Sequence, residues 1–422
     1  MTWKILMNIW YAHHYAGSKL EATYGRPYNL AKSLAEKGNN CRIIAASFHH
    51  LMRAPVVQNN SVHSEKLDGI NFTWLKTPEY QGNGLKRIMN MISFGYRFRT
   101  LDLLNEYEIE KPDAIIISSA HPFHIIGGIH WAKRYKAKLI FEVRDIWPLS
   151  LIQLLGISSF HPLSLILSWF EKKAYKQADA VVSLLPNAKT HMTELGLKSD
   201  KFNYIPNGID AQTFENTQPS SYRDIIGELK NEGKFIFMYT GAHGIPNALV
   251  PLIKAAELIQ QKGDKNIEFV LIGDGSCKQD LQNYAQNHQI NNIHFLDAIP
   301  RAEIPDTLNF ADLVFIGGRN LPLYKFGVSP NKMFEYMLAG KPILMTISSP
   351  NNPLELAQAG TCIGSNDPII IANTVLQYAN RPRSDMEVIG ERGLEYVKKH
   401  HLYNILAQQY IDVIEKIPLN SQ

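Results

Sequence analysis

The apolar residues of the first half of the chain fall in short runs that alternate with helical patterns. Runs such as AIIIS (114–118) and KLIFEV (138–143) are mostly apolar rather than alternating, as expected for strands of a parallel sheet covered on both faces. Amphipathic helices, for example 24–37 and 123–135, separate the runs. This alternation predicts right-handed crossovers and a doubly wound sheet. The predicted strands are 4–10, 41–47, 113–119, 138–144 and 180–185.

A second strand–helix series follows the segment FNYIPNGID (202–210), whose Pro/Asn/Gly turn is typical of a domain boundary. Its predicted strands are 235–240, 267–272, 293–296, 313–316 and 342–345. A chain of 422 residues also exceeds what one hydrophobic core usually supports. We therefore predict a Rossmann-like domain at 1–207, a second at 208–383, and C-terminal helices at 384–422 that pack back toward the first domain. A dehydrogenase, an epimerase or a glycosyltransferase could have this architecture.

Composition narrows the class of protein. Hydrophobic residues make up 45% and charged residues 19%, which is ordinary for a folded soluble protein, and the net charge of +4 does not indicate a nucleic-acid partner. The three cysteines (Cys41, Cys277 and Cys362) lie far apart without CxxC spacing, which argues against a disulfide framework or a zinc site. No apolar run of about 18 residues is present, and the first 15 residues read as a buried strand rather than a signal peptide. We expect a cytoplasmic protein.

The block GVSPNKMFEYMLAGKP (327–342) predicts a helix that starts near Pro330, with Ser329 as its cap, and stops at Gly340. The helix amides would lie at the carboxyl end of the strand in LVFIGG (313–318), where open α/β sheets bind phosphates. Glu335, in the second turn, could accept hydrogen bonds from a ribose diol. A capped, solvated helix without a ligand fits the same pattern.

The block SPNKMFEYMLAGKPIL (329–344) resembles the nucleotide-sugar motif of glycosyltransferase family 4, whose members are retaining enzymes of the GT-B fold. Further blocks resemble the same family in order and spacing, namely SSAHPFH, FEVRDIWPLSL, IPNGID, YTGAHG, FVLIGDGSCKQDL and FLDAIPRAEIPDTLNFADLVF. More narrowly, they resemble bacterial transferases of O-antigen or capsule synthesis, including N-acetylfucosaminyl transferases. The resemblance implies an α/β GT-B fold, in which two Rossmann-like domains face each other across a cleft and helices end the chain.

By position, Glu335 corresponds to the second glutamate of the family's Glu-x7-Glu motif, which binds the donor ribose. Gly327 stands where the first glutamate would be, so the backbone amides of Gly327, Val328 and Ser329 could take over its contacts. Many members also carry Arg and Lys after the first strand of the second domain, but here that segment is GAHGIPNAL. The remaining candidate cations for the donor pyrophosphate are Arg319, Lys325 and Lys332, of which Lys332 and Arg319 are favoured.

The predicted catalytic set is completed by His121, which follows the strand AIIISSA and by resemblance contacts a donor-sugar hydroxyl. The turn Gly273-Asp274-Gly275-Ser276 lacks the third glycine of a dinucleotide fingerprint, so a tight turn is the better interpretation. The chain contains no Asp-x-Asp, and we predict neither a metal nor another cofactor beside the co-substrate. The residues predicted to bind the nucleotide-sugar are Gly17, Arg26, Gly241, His243, Gly273, Lys325, Gly327, Val328, Ser329, Asn331 and Glu335.

Charged residues also follow the strands of the first half. Glu142, Arg144 and Asp145 could form a polar network that lines the cleft, or a salt-bridge clamp without a catalytic role. The loop 11–25 contains His13 and His14, for which a metal pair is unlikely since no third ligand is evident. The same loop contributes Gly17, Glu21, Tyr24, Gly25 and Arg26, and Arg26 could meet a donor phosphate.

Segment 82–104 predicts a basic amphipathic helix that could lie on an anionic membrane. Its apolar residues are Leu85, Ile88, Met91, Ile92, Phe94 and Phe98, and its cations are Lys86, Arg87, Arg97 and Arg99. The apolar stretch 146–170 could assist. Membrane docking would suit an undecaprenyl-diphosphate-linked saccharide as acceptor, at the inner face of the cytoplasmic membrane. Ordinary core packing with a solvated basic edge is the alternative.

The resemblance thus implies a retaining glycosyltransferase of O-antigen, capsule or lipopolysaccharide synthesis. It would move a sugar from a nucleotide-sugar donor, UDP-linked and carrying an N-acetylated deoxy-hexosamine, to a lipid-linked glycan. A UDP-sugar 2-epimerase of GT-B fold and a non-catalytic nucleotide- or glycan-binding homologue remain alternatives. A nicotinamide dehydrogenase is disfavoured, because no G-x-G-x-x-G follows the first strand.

Overall fold

The computed structural model describes residues 6–18, 25–52, 54–57, 60–82, 84–119, 121–319 and 321–418. Two compact units make up the chain. Unit 1 comprises residues 1–207 together with the chain from Tyr403 onward, and unit 2 comprises Gly208–Leu402. The division between Asn207 and Gly208 lies in the Pro/Asn/Gly turn of the segment 202–210.

The described residues contain fourteen strands and seventeen α-helices. The strands are β1 Asn8–Ala12, β2 Asn40–Ala46, β3 Val62–Leu67, β4 Ile70–Leu75, β5 Ala114–Ser118, β6 Lys138–Val143, β7 Ala180–Ser183, β8 Phe202–Tyr204, β9 Phe235–Thr240, β10 Ile267–Ile272, β11 Ile293–Leu296, β12 Leu313–Ile316, β13 Ile343–Met345 and β14 Gly360–Cys362. The helices are α1 Arg26–Glu36, α2 Leu85–Thr100, α3 Leu103–Tyr107, α4 Ile125–Tyr135, α5 Leu149–Leu155, α6 Pro162–Gln177, α7 Lys189–Glu194, α8 Gln212–Glu215, α9 Arg223–Asn231, α10 Val250–Gln261, α11 Lys278–Asn287, α12 Ile304–Asn309, α13 Asn331–Leu338, α14 Pro353–Leu356, α15 Pro368–Ala379, α16 Arg383–His400 and α17 Tyr403–Lys416.

Unit 1 is built on an eight-stranded sheet of order β3-β4-β2-β1-β5-β6-β7-β8. All pairs are parallel except β3 with β4, which form an antiparallel edge hairpin. Asp68 and Gly69 make its turn with φ angles of 49° and 79°, the left-handed pair that a tight hairpin requires. The strand order reverses between β1 and β5, and ligands bind beyond the carboxyl ends of strands at such a point.

Unit 2 has a six-stranded, wholly parallel sheet of order β11-β10-β9-β12-β13-β14. Its inner strands are buried on both faces; β10, for example, buries all six of its residues, whereas the edge strands β11 and β14 are partly buried. This explains the uninterrupted apolar runs in the sequence. The order reverses between β9 and β12, which places the switch point at the ends of FIFMYT and LVFI.

The two C-terminal helices belong to different units, so the prediction that 384–422 packs as one segment on the first domain is only partly right. Helix α16 stays with unit 2, where a Cβ at Gly390 would lie 1.9 Å from the carbonyl oxygen of Gly340. Helix α17 instead buries Leu406, Ala407 and Tyr410 in the core of unit 1. Among the described residues, no helix is both long and apolar enough to cross a bilayer.

Candidate active site

Two glycine-containing loops meet at the carboxyl ends of β9 and β10. The amide of Gly241 donates to the carbonyl oxygen of Ile272 at 2.9 Å, and the amide of His243 donates to that of Asp274 at 2.8 Å. A Cβ on Gly273 would lie 1.9 Å from the carbonyl oxygen of Gly241, so only glycine permits this approach. Gly273 therefore serves the packing of one loop on the other, as expected for a tight turn, and its contact with a donor stays a prediction.

Lys332 lies beside the Gly241 loop. Its Nζ donates to the hydroxyl of Tyr239 at 2.9 Å and lies 4.1 Å from the centre of that ring. A Cβ built on Gly241 would be 3.0 Å from the same Nζ. Burial lowers the pKa of Lys332 to about 8. A largely desolvated cation thus stands next to the segment GAHGIPNAL, which has no cation of its own.

Glu335 lies one turn after Lys332 on the same face of α13. Its Oε1 accepts a hydrogen bond from Nη2 of Arg301 at 3.0 Å, and the side chain keeps 21% of its surface exposed. Burial raises the pKa of Glu335, and the charges of Arg301 and Lys332 oppose this rise. The carboxylate is therefore both held and partly open to a ligand.

Helix α13 begins at Asn331, and Pro330 occupies its cap position without a side-chain cap. The prediction that Ser329 caps the helix is wrong, because Ser329 lies one residue before the cap. Gly327 has φ 122° and ψ 170°, a conformation nearly restricted to glycine. The Val328 side chain is buried in the core of unit 2 and the Asn331 side chain is exposed. Contacts of Gly327, Val328, Ser329 and Asn331 with a donor stay a prediction.

His243 is fully buried, and neither of its ring nitrogens has a hydrogen-bond partner among the described residues. Burial, aided by the charge of Lys278, lowers its pKa to about 4. Lys278 itself is committed, since its Nζ donates to the carbonyl oxygen of Gly273 at 3.0 Å and to Asp297 at 2.6 Å. His243 is consequently a neutral imidazole at pH 7.

His121 belongs to a cluster of buried imidazoles in unit 1, at the carboxyl ends of β1, β2 and β5. Its ring centre lies 4.6 Å from that of His14 and 4.9 Å from that of His124. Burial holds the pKa of His121 well below its usual value, and neither ring nitrogen is bonded within the described part of the chain. His13 Nε2 accepts a hydrogen bond from Nη1 of Arg144 at 2.7 Å. No three described His, Cys, Asp or Glu residues are arranged to hold a metal ion.

Glu142 and Arg26 form a fully buried ion pair in unit 1, with 2.8 Å between Oε2 and Nε. Glu142 Oε1 accepts from Tyr11 at 2.8 Å and from Ser118 at 2.7 Å, and Oε2 also accepts from Tyr410. Burial alone would raise the pKa of Glu142, but the neighbouring arginines outweigh it and hold the pKa at about 2. Of the two interpretations of Glu142, the salt-bridge clamp is the one the structure supports.

The guanidinium of Arg26 makes all its observed contacts within unit 1. Besides Glu142, its guanidinium donates to the backbone carbonyl oxygens of Ile205 and Pro206 and to the hydroxyl of Tyr410. These contacts join the start of α1 to the end of unit 1 and to α17. The side chain is 2% exposed and its guanidinium makes four hydrogen bonds, which argues against a contact with a donor phosphate.

Two family models match consecutive parts of the chain. "Glycosyltransferase Family 4" matches residues 27–213, and "Glycosyl transferases group 1" matches residues 223–395. The chain belongs to glycosyltransferase family 4. The first match falls largely in unit 1 of this glycosyltransferase and the second in unit 2.

Relatives of this glycosyltransferase act in polysaccharide synthesis. It is 23% identical, over 290 residues, to the "Putative colanic acid biosynthesis glycosyl transferase WcaI" of Escherichia coli (strain K12). The aligned region covers 67% of this chain and 70% of that protein. Its fold is that of Anabaena Alr3699/HepE in complex with UDP-glucose, with a TM-score of 0.64, 14% identity and coverage of 97% and 99% of the two chains. WaaG, a glycosyltransferase involved in lipopolysaccharide biosynthesis, matches with a TM-score of 0.64, 13% identity and coverage of 97% and 100%.

The other predicted residues of this glycosyltransferase are spread more widely. Arg319 and Lys325 have exposed side chains, and no hydrogen bond or ion pair of Arg319 is found in the described part of the chain. Lys325 Nζ lies 4.9 Å above the ring of its neighbour Phe326. Gly17 is buried in the loop after β1, whereas Glu21 and Tyr24 fall outside the described residues. Of the three predicted cations, only Lys332 is held in place by buried neighbours.

Sequence reasoning missed Arg301, His49 and His124. Arg301 follows Pro300 in the block FLDAIPRAEIPD, just after a predicted strand, and a charge at that edge was a usable signal. The histidines follow strands as well, in SFHH and SSAHPFH. Such recurrence at three strand ends could have predicted the cluster, because parallel strands bring their carboxyl ends to one edge.

Proposed function

We propose that this glycosyltransferase moves a sugar from a UDP-linked donor to a hydroxyl of an undecaprenyl-diphosphate-linked glycan, in O-antigen or capsule synthesis. The observation that carries the proposal is the placement of Lys332 and Glu335 on one face of α13, at the carboxyl edge of the unit 2 sheet. HepE, which shares the fold, binds UDP-glucose, and WcaI and WaaG are named for polysaccharide synthesis. They support this class of substrate.

In the proposed reaction the diphosphate of the donor gains negative charge as the glycosidic bond breaks. Lys332 supplies a partly buried cation that packs against Tyr239, so water screens its charge less than that of an exposed side chain. The first amides of α13 add the positive end of the helix dipole. Glu335 accepts hydrogen bonds from the ribose diol. In this scheme the protein itself balances the leaving charge, so EDTA should leave the transfer rate unchanged.

We propose retention at the anomeric carbon on the family resemblance. The bond from the anomeric carbon to the phosphate oxygen breaks while the acceptor oxygen bonds to the same face of the sugar. The acceptor proton passes to the leaving phosphate oxygen. His121, uncharged because burial lowers its pKa, would orient a hydroxyl of the transferred sugar. For that sugar we propose an N-acetylated deoxy-hexosamine, which rests on the motif resemblance alone.

A substrate screen tests the proposal. UDP-, GDP- and dTDP-sugars are incubated with a prenyl-diphosphate-linked saccharide, and the lipid-linked products are analysed by mass spectrometry. We expect transfer from a UDP-sugar with the wild type, and at least a tenfold lower kcat/KM with Lys332→Ala. Release of an epimerised UDP-sugar without acceptor, or UDP binding with no transfer to any acceptor, would favour the alternatives.

Unit 1 also presents a face that suits an anionic membrane, where the proposed acceptor would lie. On α2, Leu85, Met89, Ile92 and Tyr96 are exposed at a spacing of one per turn, and the helix contains no acidic residue. Phe94 and Phe98, predicted to belong to this surface, are instead fully buried against α4. The helix therefore buries one face and leaves an apolar stripe uncovered.

Helix α6 carries a second exposed stripe formed by Leu165, Ile166 and Trp169. Lys173 Nζ lies 4.7 Å above the Trp169 ring. The single acid of α6, Glu171, is buried, and burial raises its pKa to about 8, so it is largely uncharged at pH 7. Both helices pack against α4. Their exposed faces offer lysine, arginine and apolar side chains without a carboxylate, which is the chemistry that anionic lipid attracts.

Flotation with vesicles containing anionic phospholipid tests this face. The double variant Met89→Glu/Trp169→Glu should lose most of its vesicle binding, since it adds negative charge to both stripes. Val388→Glu is the matched control, because Val388 is equally exposed on a helix of unit 2. Equal flotation of all three proteins, or no flotation of the wild type, would remove the membrane proposal.

A further inference from the structure

The turn Arg301–Glu303 is tied down on both sides by the segment that leads into α9. The amide of Gln218 donates to the carbonyl oxygen of Ala302 at 2.8 Å. Glu303 Oε2 accepts from the amide and the hydroxyl of Ser221, at 2.7 and 2.6 Å. Arg301 therefore projects from a turn whose position is fixed by three hydrogen bonds to the neighbouring segment.

The same segment anchors the start of the next helix. The amide of Ser220 donates to Asp306 at 2.8 Å, and Arg223 pairs with the other oxygen of Asp306 at 2.6 Å. Arg223 approaches this carboxylate from the exposed side. It contributes to the anchoring without touching Glu335, which makes it a suitable control for effects of loosening the turn.

From this fixed turn Arg301 reaches α13. Its Nη2 lies 3.0 Å from Oε1 of Glu335, and this is the hydrogen bond that the described residues provide to the carboxylate. Lys332 is the other charged group acting on Glu335, but its Nζ is directed at Tyr239 and Asn247. Arg301 is thus the direct partner, and it leaves the second oxygen of Glu335 without a hydrogen bond from the described chain.

We propose that Arg301 is the positioning residue for Glu335, which it orients and keeps ionised so that the second carboxylate oxygen can accept hydrogen bonds from the donor ribose. The proposal rests on the proposed function. Without the guanidinium, burial would favour the protonated acid, and a protonated Glu335 offers a poorer acceptor. The pKa of Glu335 is already raised by burial in the presence of Arg301, so removing the arginine should raise it further.

Calorimetric titration with UDP between pH 5.5 and 8.5 tests this role. At pH 6.5, Arg301→Gln should weaken UDP binding by about tenfold relative to the wild type, the size of a hydrogen bond to a charged group. The ratio of variant to wild-type Kd should fall as the pH rises, because Glu335 then ionises without help. Taking the ratio of the two Kd values cancels the pH dependence that comes from Lys332 and from UDP itself, because the variant and the wild type share both.

Three further variants make the result specific. Arg301→Lys keeps a charge and should restore part of the affinity at pH 6.5. Arg301→Gln/Glu335→Gln should bind UDP as Glu335→Gln does at every pH, since no carboxylate remains to be ionised. Arg223→Gln should leave the ratio near one across the range, because it removes the ion pair with Asp306, next to the turn, without touching Glu335.

The outcomes separate the two proposals. If UDP binds the wild type and Glu335→Gln weakens it, but the Arg301→Gln ratio does not change with pH, Arg301 acts structurally and this inference is overturned alone. If Glu335→Gln binds UDP as tightly as the wild type, the donor site itself is misplaced and both proposals fall. Thermal unfolding of each variant verifies that the comparison is made between folded proteins.

Discussion

Each unit holds a glutamate–arginine pair, and the two pairs differ in how completely the glutamate is satisfied. Glu142 of unit 1 accepts four hydrogen bonds, from Tyr11, Ser118, Arg26 and Tyr410, and is fully buried. Glu335 of unit 2 accepts one, from Arg301, and remains partly exposed. A carboxylate with every lone pair occupied can only hold the protein together, whereas one with a vacant oxygen can also hold a ligand.

The pKa values of the two glutamates differ in the same way. Four hydrogen-bond donors, one of them Arg26, and the further charge of Arg144 keep the pKa of Glu142 at about 2 in spite of its burial. Glu335 has fewer donors, and burial raises its pKa. Perturbed carboxylates that are only partly neutralised are typical of functional sites, while fully paired ones are typical of structural clamps. Substitution of either arginine or either carboxylate tests this contrast between the two pairs.

The largest effect is expected from Arg26→Met. It leaves Glu142 charged and buried without its main partner, which costs about 3–5 kcal/mol of the free energy of unfolding. Chemical denaturation followed by circular dichroism measures the loss. Arg383→Met, which removes an exposed pair with Glu387 on α16, should change the unfolding midpoint little. A midpoint for Arg26→Met equal to that of Arg383→Met would contradict the clamp.

Glu335→Gln should act on the ligand rather than on the fold. The substitution removes the charge of the carboxylate that accepts hydrogen bonds from the donor ribose. It should raise the donor KM ten- to a hundredfold, equivalent to about 1.5–3 kcal/mol. The free energy of unfolding should change far less than in Glu142→Gln, its matched substitution in unit 1. Steady-state kinetics and denaturation of both variants measure the contrast. An unaltered donor KM together with a large loss of stability would mean that Glu335 is a second clamp.

The cations of the two sites also differ, because Arg26 stays charged at any accessible pH whereas Lys332 does not. Burial lowers the pKa of Lys332 to about 8, so its charge is present below pH 8 and is lost as the pH rises through that value. UDP affinity should therefore fall about tenfold between pH 8 and pH 9.5, relative to a variant Lys332→Arg that cannot deprotonate there. Parallel affinity profiles for the two proteins would exclude a role for the charge of Lys332.

Much of the fold could be predicted from the apolar runs, because strands covered on both faces exclude polar residues. The bounds of β9 to β12 agree with the predicted 235–240, 267–272, 293–296 and 313–316. The hairpin β3–β4 was missed because the edge strand VHSEKL is half polar, and a search for uniformly apolar runs passes over it. The Asp68-Gly69 pair was the available signal.

The site was predictable only where its residues are close in sequence. Lys332 and Glu335 lie three residues apart on one helix, so their common face follows from helix geometry. Arg301 and Glu335 meet only because two separate segments pack side by side, and nothing local to either segment encodes that distance. Arg26 shows the converse case. An arginine after Gly25 looks like a phosphate ligand until the buried carboxylate of Glu142, 116 residues away in the sequence, is placed beside it.

The smallest effect is expected from substitution of Arg319, which the sequence analysis favoured together with Lys332 as a cation for the donor pyrophosphate. Arg319 is exposed and has no hydrogen bond or ion pair in the described part of the chain, so binding would have to order its long side chain at an entropic cost. Water would also screen its charge. Arg319→Ala should therefore lower kcat/KM only a few-fold, and 0.5 M NaCl should reduce the difference from wild type further. Lys332→Ala should show the larger, less salt-sensitive loss, because Lys332 is partly buried and packs against Tyr239. If the two variants were equally impaired at both salt concentrations, burial would not be what distinguishes these cations, and Arg319 would have to be held by the bound donor.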